Sequence, residues 1–273
     1  MPSTYDIRLI QAGKVVEIIE YEKLVVEYSK IDKKINMTCQ KNGRKSMASV
    51  EDKQTNRMIV LYRARNEIRR LVNTNVSQYC DENGNAYMPV FLTLTFSENI
   101  QDIAWANNEF RKFIKRLGNH IAHDQCYLKY LAVIEFQKRG AVHYHLIIFN
   151  LPYMPVKEIS EIWRYGYIWI NAVDHVDNLG AYVVKYMNKD NDDERLAGHK
   201  CYFSSRGLYK PKEIKALTSS PQGQEIIKLR DTLAETIPCR QMHTNEHESD
   251  YYGTIRYDQF KLLNNSQEVR LDG

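Results

Sequence analysis

The sequence predicts an α+β fold: an antiparallel sheet of about five strands in a β-α-β-β-α-β core, helices mainly on one face, and extensions at both ends. Two observations carry this reading. From Phe91 onward, short β-branched and aromatic runs alternate with stretches of helical period, in the order strand, helix, strand, strand, helix, strand. The middle two strands, LKYLAVIEF (128–136) and AVHYHLIIF (141–149), are separated only by QKRG (137–140). That connection is short and ends in glycine, as a hairpin requires, so the two strands run antiparallel.

The elements follow in order. Residues 5–40 read as strands, with VVEIIEYEKLVVEY the most regular part. From Ser49 to Asn73 the period is helical, and Ser49 ahead of Glu51 and Asp52 suits a helix start. DENGNAY (81–87) is turn chemistry around Asn83-Gly84. FLTLTF (91–96) is a strand. IAWANNEFRKFIKRLGNH is an amphipathic helix with Phe110, Phe113, Ile114 and Leu117 near one side and Gly118 placed to end it. After Pro152 and Pro155 come a short helix, VKEISEIWRY, a strand, GYIWINAV (166–173), and a helix over 176–188. CYFSS and YYGTIRY read as later strands. The expected division is a strand and helix extension over 1–88, packed on a core over 89–190, and a C-terminal extension over 191–273 that is first basic and then acidic.

Composition narrows the class. The chain has 273 residues and a formal charge of +4, but eight acidic against four basic residues from Asp231 onward leave +8 on the first 230. Basic clusters such as Arg111-Lys112-Lys115-Arg116 could meet phosphates or could be solvated helix faces. Five widely spaced cysteines without a C-x-x-C argue against a disulfide scaffold or zinc ribbon and for a reducing compartment. MPSTYDIRLI lacks a signal-peptide pattern, and no apolar run is long enough to cross a bilayer. The expectation is a cytoplasmic protein with no membrane partner.

Two constellations carry chemistry. His143 and His145 alternate in a strand and so share a face, the geometry two imidazoles need to hold one ion. Glu135 interrupts the preceding apolar strand, and a hairpin through QKRG can bring it alongside; a buried carboxylate wants a partner. Two histidines and a carboxylate suit a divalent cation, with Mg²⁺ or Mn²⁺ plausible where phosphate and water complete the shell. Gln137 rivals Glu135 as third ligand, and Glu135 could instead pair with Lys138 or Arg139. The second constellation is AYVVKYMNK: Tyr182 and Tyr186 are i and i+4 on a helix, with Lys185 and Lys189 each three residues beyond a tyrosine. The plain alternative is a packed tyrosine pair with exposed lysines. A free tyrosine titrates near ~10, so a nucleophilic tyrosine needs a nearby cation.

In this combination the chain resembles the HUH endonuclease superfamily, in particular the rolling-circle replication initiators (Reps) of small single-stranded DNA phages and related plasmids. FLTLTF resembles the first motif of that group, H-Y-H its metal motif, and YVVKY its tyrosine motif, in the same order over about residues 90–190. The resemblance implies His143, His145 and Glu135 as ligands of Mg²⁺ or Mn²⁺. It implies Tyr182 as nucleophile, Lys185 as its assistant and Tyr186 as second nucleophile. The implied reaction nicks single-stranded or hairpin origin DNA, leaves a 5′-phosphotyrosine and a 3′-OH primer, and later rejoins the displaced strand. Lys138, Arg139, Lys189, Arg206 and Lys210 are candidate DNA contacts, the last two within the aromatic stretch CYFSSRGLYKP. No G-x-x-x-x-G-K-[ST] occurs, so a host helicase and a host DNA polymerase are the expected partners. Two other readings stay open: a relaxase or transposase of the same superfamily, and a non-catalytic single-strand binding module, whose sheet would need exposed aromatics on its central strands. His243 and His247, with Cys239 upstream, could hold zinc if that stretch were helical.

Overall fold

QKRG does turn the chain. Gly140 takes a left-handed φ of 89°, its N–H donates to the Gln137 carbonyl at 2.7 Å, and Gln137 N–H donates to the Ala141 carbonyl at 2.9 Å. The computed structural model describes residues 3–28, 50–124, 127–173, 178–185, 200, 202–235 and 239–263. In chain order the elements are β1 (Ser3–Ala12), β2 (Val15–Glu27), α1 (Val50–Asn75), β3 (Val90–Thr95), α2 (Ile103–Ala122), β4 (Tyr130–Phe136), β5 (Val142–Ile148), α3 (Val156–Trp163), β6 (Ile168–Ala172), α4 (Leu179–Lys185), β7 (Tyr202–Ser204), β8 (Lys212–Ala216), α5 (Pro221–Glu235), β9 (Cys239–Ser249) and β10 (Gly253–Leu262). Ser49 and the expected helical residues beyond Lys185 lie outside the described residues.

The chain forms two compact units, Val50–Lys210 and Met1–Ser49 with Pro211–Gly273. Both ends of the chain contribute strands to one sheet, and α1, expected within the N-terminal extension, groups with the core. In the first unit the sheet order is β6-β3-β5-β4-β7, antiparallel throughout. Strands β3 to β6 with α2 and α3 are the split β-α-β-β-α-β arrangement, and β7 extends it to five. Alternation sorts the strand residues. Leu92, Leu94, Ile134, Tyr144 and Leu146 face α2 and α3 in one buried cluster with Phe110, Phe113 and Trp163. Tyr144, between the two histidines, points away from them: its ring stacks on Phe110 at 4.6 Å and its hydroxyl donates to Asn107 at 2.7 Å. The residue inside H-Y-H therefore anchors the strand to α2.

The opposite face is not left bare. Ile68, Leu71 and Val72 of α1 and Leu179 and Val183 of α4 pack there on Phe91, Leu131 and Ile147. Helices thus cover part of both faces, α1 contributing Ile68, Leu71 and Val72 to the second. Asp102 caps α2, accepting from the N–H groups of Ala104 and Trp105 at 2.9 and 3.0 Å. Gly118 does not end that helix; it continues to Ala122 and closes on His123 in the left-handed conformation.

The second unit is a five-stranded antiparallel sheet in the order β8-β1-β2-β10-β9. Helix α5 covers it through Ile226 and Leu233 against Ile7, Leu9, Val16 and Phe260. Its start is signalled by Ser220 ahead of Pro221, the serine hydroxyl accepting from Gly223 N–H at 3.1 Å. His243 and His247 lie on strand β9, not on a helix. Four strand residues span about 13 Å, too far for two ligands of one ion. Among the described residues no helix is long and apolar enough to cross a membrane.

Candidate active site

The register of three strands builds the site. Glu135 on β4 is paired with His143 on β5, which is paired with Thr95 on β3; one row along, Val133 pairs with His145 and His145 with Thr93. Period-2 alternation then puts Glu135, His143, His145, Thr93 and Thr95 on one face. His145 and Thr93 are buried there, while Glu135, His143 and Thr95 keep partial exposure. Ligand atoms of Glu135, His143 and His145 all lie within 4.8 Å of one another, the one such group among the described residues. His145 Nε2 is 2.5 Å from Glu135 Oε2. Gln137, the rival third ligand, instead accepts from Arg139 Nε at 2.9 Å. Two imidazoles and a carboxylate converging from rigid strands fit a divalent cation by donor type and by spacing.

Each imidazole is held from behind by a hydroxyl. Thr93 Oγ1 lies 3.0 Å from His145 Nδ1 and Thr95 Oγ1 2.7 Å from His143 Nε2. A hydroxyl both donates and accepts, so the same contact serves either imidazole tautomer. This orienting role was missed from the sequence, although the signal was there: T-x-T in FLTLTF has the same period as H-x-H.

Burial, then the neighbouring His145, push the His143 imidazole down to about 4, against the opposing pull of Glu135; the Arg139 charge adds to the depression. The ring is therefore neutral at pH 7, the form a metal needs. Unfolded, it would titrate near 6.5. The unfolded chain binds the extra proton between these values, so this group's contribution is present above pH 6.5 and is lost as pH falls toward 4. Across that window the ion-free protein should lose up to about 3 kcal/mol through His143. Urea unfolding at pH 7.5 and 4.5 should show a shallower pH dependence in His143→Gln than in wild type.

Helix α4 brings the tyrosine. Asn178 caps it, accepting from Ala181 N–H at 3.0 Å, and receives a hydrogen bond from Asn73 Nδ2 at 3.0 Å. Asn73 Oδ1, buried on α1, accepts from Gly180 N–H at 2.8 Å. Gly180 permits this docking, since a Cβ there would lie 2.2 Å from the Arg69 carbonyl oxygen. The half-buried Tyr182 ring meets Phe91 edge-on at 5.2 Å, and Phe91 stacks on His145 at 5.8 Å. Lys185 Nζ is 5.9 Å from the Tyr182 ring centre. Gly180→Ala should cost about 1–3 kcal/mol of stability and displace the helix; urea unfolding measures the first and the yield of any tyrosine adduct the second.

The remaining sequence candidates divide. Tyr186 and Lys189 lie outside the described residues. Lys138, Arg206 and Lys210 are exposed. Arg139 is exposed too, but its guanidinium donates to the carbonyls of Phe96 and Ser97 as well as to Gln137. It braces the hairpin against the end of β3, beside the cluster. A cavity of about 540 Å³, lined by Tyr87, Met88, Tyr153 and Ile170 among others, includes none of the cluster residues. On this face the central strands carry threonines and histidines, and their one ring there, Phe91, is buried rather than exposed as a binding module of the single-strand type would need.

Residues 89–191 match the family described as Replication-associated protein ORF2/G2P. No curated protein and no solved structure matches the chain.

Proposed function

We propose, from the premise that residues 89–191 are a replication-associated domain of the ORF2/G2P type, that this chain initiates rolling-circle replication by nicking and rejoining one DNA strand. The observation that carries the proposal is the convergence of Glu135, His143 and His145 on one sheet face with the Tyr182 helix docked beside it. Glu135, His143 and His145 would hold Mg²⁺ or Mn²⁺. Such an ion, when bound, polarises a phosphate oxygen and offsets the charge that gathers on the phosphorus.

The protein's own groups do the rest. The Tyr182 phenol oxygen bonds to the scissile phosphorus as the bond from phosphorus to the 3′ oxygen breaks. The phenol proton passes to solvent, and the departing 3′ oxygen takes up a proton to become the primer hydroxyl. The 5′ phosphate stays on tyrosine as a diester, keeping its energy for rejoining. Lys185 supplies positive charge next to the phenol and the phosphate. Tyr186 is the nucleophile for a second transfer. Lys138, Arg206, Lys210 and Lys189 hold flanking phosphates, and a host helicase and polymerase complete the cycle. A relaxase or transposase would use the same chemistry on a different DNA. The test is to incubate the protein with labelled single-stranded hairpins from its own replicon, with Mn²⁺ or with EDTA. A covalent protein–DNA band on a denaturing gel is expected with Mn²⁺ alone. Tight binding without a band under both conditions would replace the proposal by a binding module.

A further inference from the structure

We propose that Tyr167 and Trp169 form a two-ring subsite that stacks nucleobases of the single strand next to the phosphate held at the cluster. The inference rests on the strand-transfer reading and names where that substrate's bases go.

Register places the rings. Trp169 is paired with Thr93, and Tyr167 accepts the Thr95 N–H at its carbonyl at 3.0 Å. These are the two threonines that contact the histidines, so both rings belong to the ligand face, two strands from β5 and about 10 Å from the imidazole backbone. The rest of that face offers no such room. Phe91, Leu131 and Ile147 are buried under α1 and α4. A partly exposed strip among the described residues runs from Glu135 through His143 and Thr95 to β6, an edge strand of the sheet.

The two side chains are unusual for that place. Tyr167 is 70% and Trp169 42% exposed. Edge strands are ordinarily guarded by charged residues, because exposed apolar groups there invite wrong pairing. Trp169 touches Phe91 edge-on at 6.2 Å. As i and i+2 on a strand the rings are about 7 Å apart, spaced to receive splayed bases of one strand. Bases are the occupant that fits this strip. They bring flat π faces for the rings, and the phosphates between them complement Lys185 and Lys138, exposed cations of the same unit.

The test uses the full chain and hairpin DNA carrying 2-aminopurine at single positions flanking the cleavage site. In EDTA, binding should quench the probe at one or two positions. Trp169→Ala should remove that quenching and weaken binding about 5- to 100-fold, with Tyr167→Ala acting at a neighbouring position. Trp169→Phe should retain most of both. With Mn²⁺, the alanine variants should raise KM for adduct formation more than they lower kcat. Unchanged quenching, affinity and KM in variants of an adduct-forming protein overturn the subsite and leave the transfer reading standing. A wild type that forms no adduct overturns the transfer reading, and the subsite is then judged on the quenching alone. A concentration-dependent dimer that Trp169→Ala abolishes, with quenching unaffected, overturns it in favour of a second copy of the chain.

Discussion

Tyr182→Phe is expected to leave single-strand binding within a few-fold of wild type and to lower covalent adduct formation by on the order of 10⁴-fold or more. The substitution removes one oxygen and keeps the ring. The edge-on contact to Phe91 survives, and α4 remains held by Asn73, Asn178 and Gly180, none of which involves the phenol. The loss is therefore chemical rather than structural, and equal unfolding free energies for the two proteins would establish that. Tyr186→Phe should retain the first adduct and lose the second transfer, read as failure to release a rejoined strand. The double variant should form no adduct at all. An adduct that persists in Tyr182→Phe and disappears in Tyr186→Phe would exchange the two roles. One that persists in the double variant would sink the tyrosine mechanism.

The site was legible in the sequence where it is local. H-x-H on a strand is a period-2 signal, and the glycine-ended hairpin sets Glu135 opposite His143. The element order of the core was legible for the same reason. What the sequence did not show depends on contacts between distant segments. Asn73 and Asn178 are 105 positions apart, and only the docking of α1 on α4 makes them partners. The pairing of β1 with β8 joins residues about two hundred positions apart, which no local pattern announces. Strand β9 is polar along most of its length, so neither period stands out, and the spacing of His243 and His247 left a helix open. The bracing role of Arg139 was not legible either, since its guanidinium donates to main-chain carbonyls that only the folded sheet brings near.

The cluster makes the second large prediction. Glu135, His143 and His145 come from two adjacent strands whose own packing is complete without an ion: Tyr144, Ile134 and Leu146 are buried on the far face. The ligand set is therefore preorganised, and removing one donor should cost metal affinity without unfolding the sheet. For His145→Ala the expected loss of Mn²⁺ affinity is at least about 100-fold, beyond the 10–100-fold usual for a supporting residue. Wild type at a Mn²⁺ concentration 100 times its Kd should gain about 2.7 kcal/mol of stability, and His145→Ala should gain almost none at that concentration. Thr93→Val tests the support itself. It keeps the branched shape of a strand residue and replaces the hydroxyl that faces His145 Nδ1 with a methyl group. Its affinity should fall 10- to 100-fold, and Thr93→Ser should restore most of it. Calorimetric titration with Mn²⁺ alone reads all of these without DNA, so the outcome does not depend on which strand the protein cuts. Equal Mn²⁺ affinity in wild type and His145→Ala would mean that the short contact between His145 and Glu135 is a structural pair, with the two imidazoles serving the sheet alone.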